Sequence, residues 1–462
     1  MSRKNIFEFS SLLITLAALC AGLAGCGGVQ PLPTPTNAPT YTSIPSIPTA
    51  LPTEMLSPTP TEIPLFQLEG LRMAYIVDGD LYLQDSGKQP IQLTDSGEDH
   101  TPIFSDDGEK ITFFRGVLPR NLYSINADGS QEQALVTSSM LNALGFGYSN
   151  FAEPRSLAFV PGTHQLLFNT HELDSLYIKT KSILYWYDSK PYLDLLIVDT
   201  DSSEIKRLLA PGQGGPFIVS PDGKTIAIQA RDHVDVIGLD GKVIKQNLIT
   251  YPSEWLYLWE PEINWGQDSN RLNVVLPIPT AGALDYTGPE PRTILEYSAN
   301  SNSVAEINFS PPPMDDFFSV SMDGNWIAYN FADTAGKTNE TAIAGIYLGN
   351  LHDGNSHWID VSGLGLNDLP RSFYWSSDSM HFIFMDGSIA KMFLGDIHGA
   401  TTLIAQGEFL GWFDDGSYLY TTKGKIFLGE IGKEGSIGVI QLPAVIDSSY
   451  FTFVNLKSEM NK

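Results

Sequence analysis

The sequence predicts an all-β protein: a single β-propeller of four-stranded antiparallel blades, eight in number, with seven as the alternative. Three observations predict it. A turn of the Ser-Pro-Asp-Gly type recurs, as in "IVSPDGKTIAIQA" at 218–230, "IFSDDGEKITFF" at 103–114 and "SVSMDGNWIAYNF" at 319–331. Apolar residues follow each turn at a spacing of two, the period of a strand with one buried face. The composition suits many short strands joined by turns, with 41 Gly, 30 Pro and only 17% charged residues.

The chain begins with an address. Arg3 and Lys4 precede the apolar run "LLITLAALCAGLAG" at 12–25, too short for a comfortable membrane span, so residues 1–25 read as a signal peptide. Leu23-Ala24-Gly25-Cys26 resembles the lipobox of bacterial lipoproteins. That resemblance implies cleavage before Cys26 and lipid on its thiol. The mature chain is then extracytoplasmic, held to the bacterial cell membrane by acyl chains. The alternative is an ordinary signal peptide or an uncleaved anchor. Cys20 leaves with the signal, and no cysteine follows Cys26, so the folded part holds no disulfide.

Residues 26–64 are the lipidated cysteine and a Pro/Thr-rich linker without apolar period. Such a segment buries no core. In polyproline II geometry it reaches roughly 100 Å, enough to lift a domain off a membrane.

Residues 65–458 are the propeller. Eight turns are anchored at Gly70, Gly108, Thr163, Gly223, Ser269, Gly324, Ser379 and Gly416, at intervals of 37 to 60 residues. Blade repeats have that length. Three residues after each anchor stand Met73, Ile111, Leu166, Ile226, Leu272, Ile327, Phe382 and Leu419. Five residues after stand Tyr75, Phe113, Phe168, Ile228, Val274, Tyr329 and Phe384, with Thr421 alone breaking the series. A third strand follows each time, as in "GDLYLQD" at 79–85 or "AGIYLGN" at 344–350, then usually a weaker fourth such as "VIKQNLI" at 243–249. Four antiparallel strands repeated radially make a propeller. "SYFTFVN" at 449–455 is an extra strand that closes the ring by pairing within 71–95.

The Ser-Pro-Asp-Gly corner, the "IAY"-type strand and the "LY"-type strand resemble the TolB-type, WD40-like propeller repeat. The resemblance spans about 66–455, with divergent copies where Thr163, Ser269 and Ser379 replace glycine. It implies the fold alone, which hosts many functions.

The corner aspartates Asp107, Asp222, Asp323, Asp378 and Asp415 read as turn formers that accept backbone N–H groups. They lie apart around the rim and are not expected to converge on a cation. "DTDSSE" at 199–204 occupies the turn between third and fourth strands and lacks the glycine of a calcium loop. No metal site and no cofactor is expected. The net charge of −26 excludes a nucleic-acid partner.

The long insertions at 137–155, 170–192, 250–262 and 277–292 all fall on the face opposite the corners. They carry Phe146, Tyr148, Phe151, Tyr185, Trp186, Tyr187, Tyr251, Trp255, Tyr257, Trp259 and Tyr286. Aromatic residues dominate binding hot spots. Nine of these are the candidate ligand-binding residues: Phe146, Tyr148, Tyr185, Trp186, Tyr187, Trp255, Tyr257, Trp259 and Tyr286. The expected function is a tethered, non-catalytic binding or scaffold module for protein, peptide or glycan. The alternative is a propeller-type glycoside hydrolase or lyase using paired carboxylates among Glu260, Glu262, Asp285 and Glu290. No G-x-S-x-G elbow and no phosphate-cradling glycine loop occurs.

Overall fold

In the computed structural model the strands sort into eight antiparallel sheets of four strands each, arranged in a ring: an eight-bladed β-propeller. The structure describes residues 68–117, 120–144, 152–172, 194–230, 232–251, 261–277, 292–307, 318–332, 344–364, 366, 370–386, 391–433, 437–441 and 450–457.

Blade 4 shows the pattern. Phe217–Val219, Thr225–Gln229, His233–Gly238 and Val243–Thr250 pair in chain order. Blades 2, 3, 5, 6, 7 and 8 repeat it, opening with Asp99–Phe104, Ala152–Phe159, Glu262–Trp265, Phe318–Val320, Pro370–Trp375 and Glu408–Asp414. Blade 1 differs. Its second, third and fourth strands are Leu71–Val77, Asp80–Asp85 and Ile91–Gln92, and its first strand is the C-terminal Phe451–Asn455. Ala74 faces Thr452 and Met73 faces Phe453 across that seam. The last strand therefore closes the ring, as the sequence predicts.

The core is distributed. One apolar cluster fills each junction between neighbouring blades, including the junction of blade 8 with blade 1. Alternation along the second strand explains this. Met73 and Tyr75 turn to blade 8, while Ala74 and Ile76 turn to blade 2. All eight residues three positions after the anchors are fully buried.

The eighth copy is displaced by one residue. Asp414, not Asp415, accepts the turn hydrogen bonds, from Gly416 N at 2.9 Å and Ser417 Oγ at 2.5 Å. A one-residue slip exchanges the two faces of a strand. Tyr418 and Tyr420 accordingly pack against blade 7, and Leu419 turns to blade 1. The break at Thr421 arises from this shorter turn. Asp415 instead accepts from Ser377 of blade 7.

The other corner aspartates turn the backbone as expected, together with a serine two residues earlier. Ser220 Oγ donates to Asp222 Oδ1 at 2.7 Å and accepts Thr225 N at 3.0 Å. Ser105, Ser321 and Ser376 repeat the arrangement with Asp107, Asp323 and Asp378. All four serines are fully buried. Ser220→Ala orphans the Thr225 N–H and is expected to cost about 1–3 kcal/mol. Asp222→Asn, which keeps an acceptor, should cost less. Urea unfolding of both variants checks the order.

The serines that replace glycine join neighbouring blades. Ser269 and Ser379 hold φ of 56° and 60°, the left-handed conformation that the glycines supply elsewhere. Their hydroxyls accept the backbone N–H of Asp222 at 2.8 Å and of Asp323 at 2.9 Å. At the third copy the positive φ sits on Gly162 instead of Thr163.

Candidate functional site

In each blade of the ring the first strand is the innermost, so these strands wall the central channel. Hydrogen bonds sew four of them into one surface. Asn264 Nδ2 of blade 5 donates to Val320 O and Ser321 O of blade 6, both at 3.4 Å. Trp375 Nε1 of blade 7 donates back to Ser319 O at 3.2 Å, and Trp412 Nε1 of blade 8 to Tyr374 O at 3.1 Å.

Along this wall lies a pocket of about 390 Å³, within the size range of small-ligand sites. Its aromatic lining includes Tyr374, Phe409 and Trp412. The Tyr374 ring lies 4.8 Å from that of Phe409, which lies 6.1 Å from that of Trp412. Strand alternation places Tyr374, and two register irregularities in the first strand of blade 8 set Phe409 and Trp412. Phe373 and Trp375 are buried in the blade 6–7 core, so Tyr374 between them points the other way and stays 40% exposed. Asn264 and Asn273, paired across their strands, supply amides. Glu262 is the single charged residue among the described lining.

The nine predicted ligand-binding residues, and Phe151, lie outside the described residues, as do Glu260, Asp285 and Glu290. Tyr251, also counted among the loop aromatics, is a core residue: it is 5% exposed and its hydroxyl donates to Ala230 O at 2.6 Å. Tyr374 and Trp412 are new. The signal for Tyr374 in the sequence is an aromatic between two core residues of a first strand; Trp412, which packs against the blade 7–8 core between two register irregularities, has no such signal.

The corner face is less plain than its short turns suggest. A cavity of about 600 Å³ opens there, lined by residues of blades 1, 2 and 3. At its edge His164 Nε2 meets Asp107 Oδ2 and His164 Nδ1 meets Asp201 Oδ2, both at 2.9 Å. Lys110 Nζ, on a 5% exposed residue, meets Asp201 Oδ1 at 2.7 Å. Asp107, Glu109 and His164 place ligating atoms within 4.8 Å of one another. The ion pairs already account for the arrangement, which ties blade 2 to blade 3. "DTDSSE" forms the expected turn, with Asp199 Oδ1 accepting Asp201 N and Ser202 N.

Burial opposes charge on His164, but the hydrogen bonds to Asp201 and Asp107 outweigh it and raise its pKa above the ordinary 6.5. Asp201 is lowered by Lys110 and then by His164. A raised folded-state value means that His164 contributes fully below the ordinary imidazole value, and that this stability is lost as pH rises through the raised value. The aspartate contribution is present above the ordinary carboxylate value and disappears as pH falls through the lowered one. Melting temperature should therefore decline above neutral pH in the native chain, and His164→Gln should flatten that limb. An unchanged slope would remove His164 from the account.

No protein-family model matches the chain, and no curated protein matches its sequence. Solved structures do. An oligogalacturonate lyase from Vibrio parahaemolyticus is similar at 15% identity, covering 70% of this chain and 82% of that one, with a TM-score of 0.44. A eukaryotic initiation factor reaches 0.48 at 14% identity, covering 79% and 82%. The β-propeller domain of the Trilobed protease from Pyrococcus furiosus reaches 0.39 at 15% identity, covering 63% and 84%. The likeness is one of fold.

Proposed function

We propose that this chain is a membrane-tethered, non-catalytic binding module. Its ligand, a protein, peptide or glycan, seats on the channel wall of blades 5 to 8. The carrying observation is the pocket itself: exposed Tyr374 beside Phe409 and Trp412, on strands sewn together across three blade junctions. Preformed aromatic surface binds with little ordering cost. The loop aromatics Trp255, Tyr257 and Trp259 precede Glu262 in the chain by a few residues and extend this reading to the insertion face.

Tethering belongs to the same proposal. The signal at 1–25, the lipid on Cys26 and the linker to residue 64 would carry the propeller outside the bacterial cell membrane. Cys26→Ser should abolish fatty-acid labelling and release the protein from the membrane fraction.

The paired-carboxylate alternative gains nothing from the described residues. Among the described lining Glu262 has no second carboxylate beside it, and glycoside hydrolysis by either stereochemical route needs two.

Retention of an envelope component on immobilised protein tests the binding reading. Tyr374→Ala should weaken retention at least tenfold, about 1.4 kcal/mol, with the melting temperature unchanged. Equal retention by the native chain and the variant would contradict the site.

A further inference from the structure

We infer that the channel-wall pocket takes a neutral sugar ring, with its apolar face on Tyr374 and Trp412 and a hydroxyl donated to Asn273. The inference rests on the binding reading above and names the ligand class of the same site.

The hydrogen-bonding inventory of the wall decides the class. Asn273 is fully buried and lines the pocket, yet its Oδ1 has no hydrogen-bond partner. Its Nδ2 is turned to Gly324 O, 3.4 Å away, so the oxygen is the end of the amide left without a partner. A buried acceptor without a donor is unfavourable, so a ligand hydroxyl at this point removes a defect of the free protein. The amide and indole N–H donors around it are committed, and the hydroxyls of Ser319 and Tyr374, each able to donate or accept, remain. Asn264 Nδ2 is directed at two carbonyls of blade 6, and the indole N–H groups of Trp375 and Trp412 are bonded to main-chain oxygens. The wall therefore suits a ligand whose groups both donate, to the Asn273 oxygen, and accept, from these two hydroxyls.

A peptide backbone brings one fixed acceptor for every donor, and among the described lining only the two hydroxyls could donate to its carbonyls. A sugar ring brings hydroxyls, each able to donate, around an apolar C–H face that fits an aromatic surface. Charge separates neutral from acidic sugars. No cation lines the described part of the pocket, Glu262 does, and the chain carries a net charge of −26. A uronate or sulfated glycan would meet that charge with no cation among the described lining to offset it.

The test is a tryptophan-fluorescence titration of the full chain with neutral hexasaccharides: β-1,4-glucan, β-1,4-xylan, β-1,4-mannan and α-1,4-glucan. Trigalacturonate and a neutral hexapeptide serve as comparisons. At least one neutral oligosaccharide should bind with Kd of about 0.1–1 mM, and trigalacturonate should not. Tyr374→Ala should weaken that binding about tenfold, Asn273→Leu about fivefold, and Asn273→Asp, which keeps the acceptor, less than Asn273→Leu. Tyr374→Ala alters an exposed side chain, so it reports even if an Asn273 variant fails to fold. Failure of all four neutral sugars, or binding indifferent to Tyr374, overturns the inference. Hexapeptide binding lost in Tyr374→Ala would overturn the sugar class and leave the binding reading standing. Loss of both would show as an envelope ligand, too, that ignores Tyr374.

Discussion

Replacing Phe382 with alanine is expected to destabilise the propeller by about 3–5 kcal/mol, the usual cost of emptying a buried aromatic site. Phe382 is fully buried at the blade 6–7 junction. Its ring lies 5.1 Å from that of Trp375, 5.9 Å from Phe384 and 6.1 Å from Phe373. Gly395, its partner across the strands, lies so close that a Cβ there would stand 2.5 Å from the ring. The site is a tight aromatic stack with a glycine floor, so it cannot collapse to fill the hole. Phe382→Leu keeps most of the volume and should cost much less than Phe382→Ala, about 1.5 kcal/mol. Urea unfolding followed by tryptophan emission measures both. Near-equal midpoints for Phe382→Ala and the native chain would show that this junction is not packed as described.

Deleting residues 450–462 should have the second large effect: loss of a cooperative unfolding transition. The deletion removes the first strand of blade 1 and uncovers Met73 and Tyr75, now 0% and 2% exposed. It also removes Phe451 from the blade 8–1 core, the Asn455 Nδ2 bond to Phe413 O and the Leu456 N bond to Gly70 O. Loss of the buried phenylalanine alone is worth about 3–5 kcal/mol, against a total stability of about 5–15 kcal/mol for a typical domain. A truncated chain that unfolds in one sharp transition at the native midpoint would contradict closure by this strand.

Much of this fold was legible because blades repeat a local rule. Asp-Gly corners and apolar pairs such as Ile226 and Ile228 report burial within a dozen residues, and each pair packs against the preceding blade. Closure by Phe451–Asn455 was legible because the first turn, at Gly70, lacks a strand before it. The eighth copy misled for an equally local reason. A shorter turn at Asp414 put Tyr418 and Tyr420 in the register assigned to Leu419 and Thr421, and both faces are apolar enough to hide the slip.

The site was less legible because it depends on which strands converge. Tyr374 and Trp412 stand 38 residues apart and belong to different blades. Only the ring brings them to one wall, and on the page each looks like part of an ordinary apolar strand. Ser269 and Ser379 look in the sequence like divergent copies of a glycine, yet their hydroxyls bridge blades. Asn273 gives no local sign of its unpaired carbonyl, since that follows from the corner of the next blade.

Everything proposed for the channel requires a ring closed between the two ends of the folded chain. Ala74 and Thr452 face each other across that seam, and opposed residues of an antiparallel pair fall within disulfide reach. The chain has no cysteine beyond Cys26. With Cys20 and Cys26 changed to serine, oxidation of the Ala74→Cys, Thr452→Cys double variant should yield one intrachain cross-link, found as a single linked peptide pair by mass spectrometry. Two free thiols under the same conditions, or a bridge only between molecules, would contradict the closed ring.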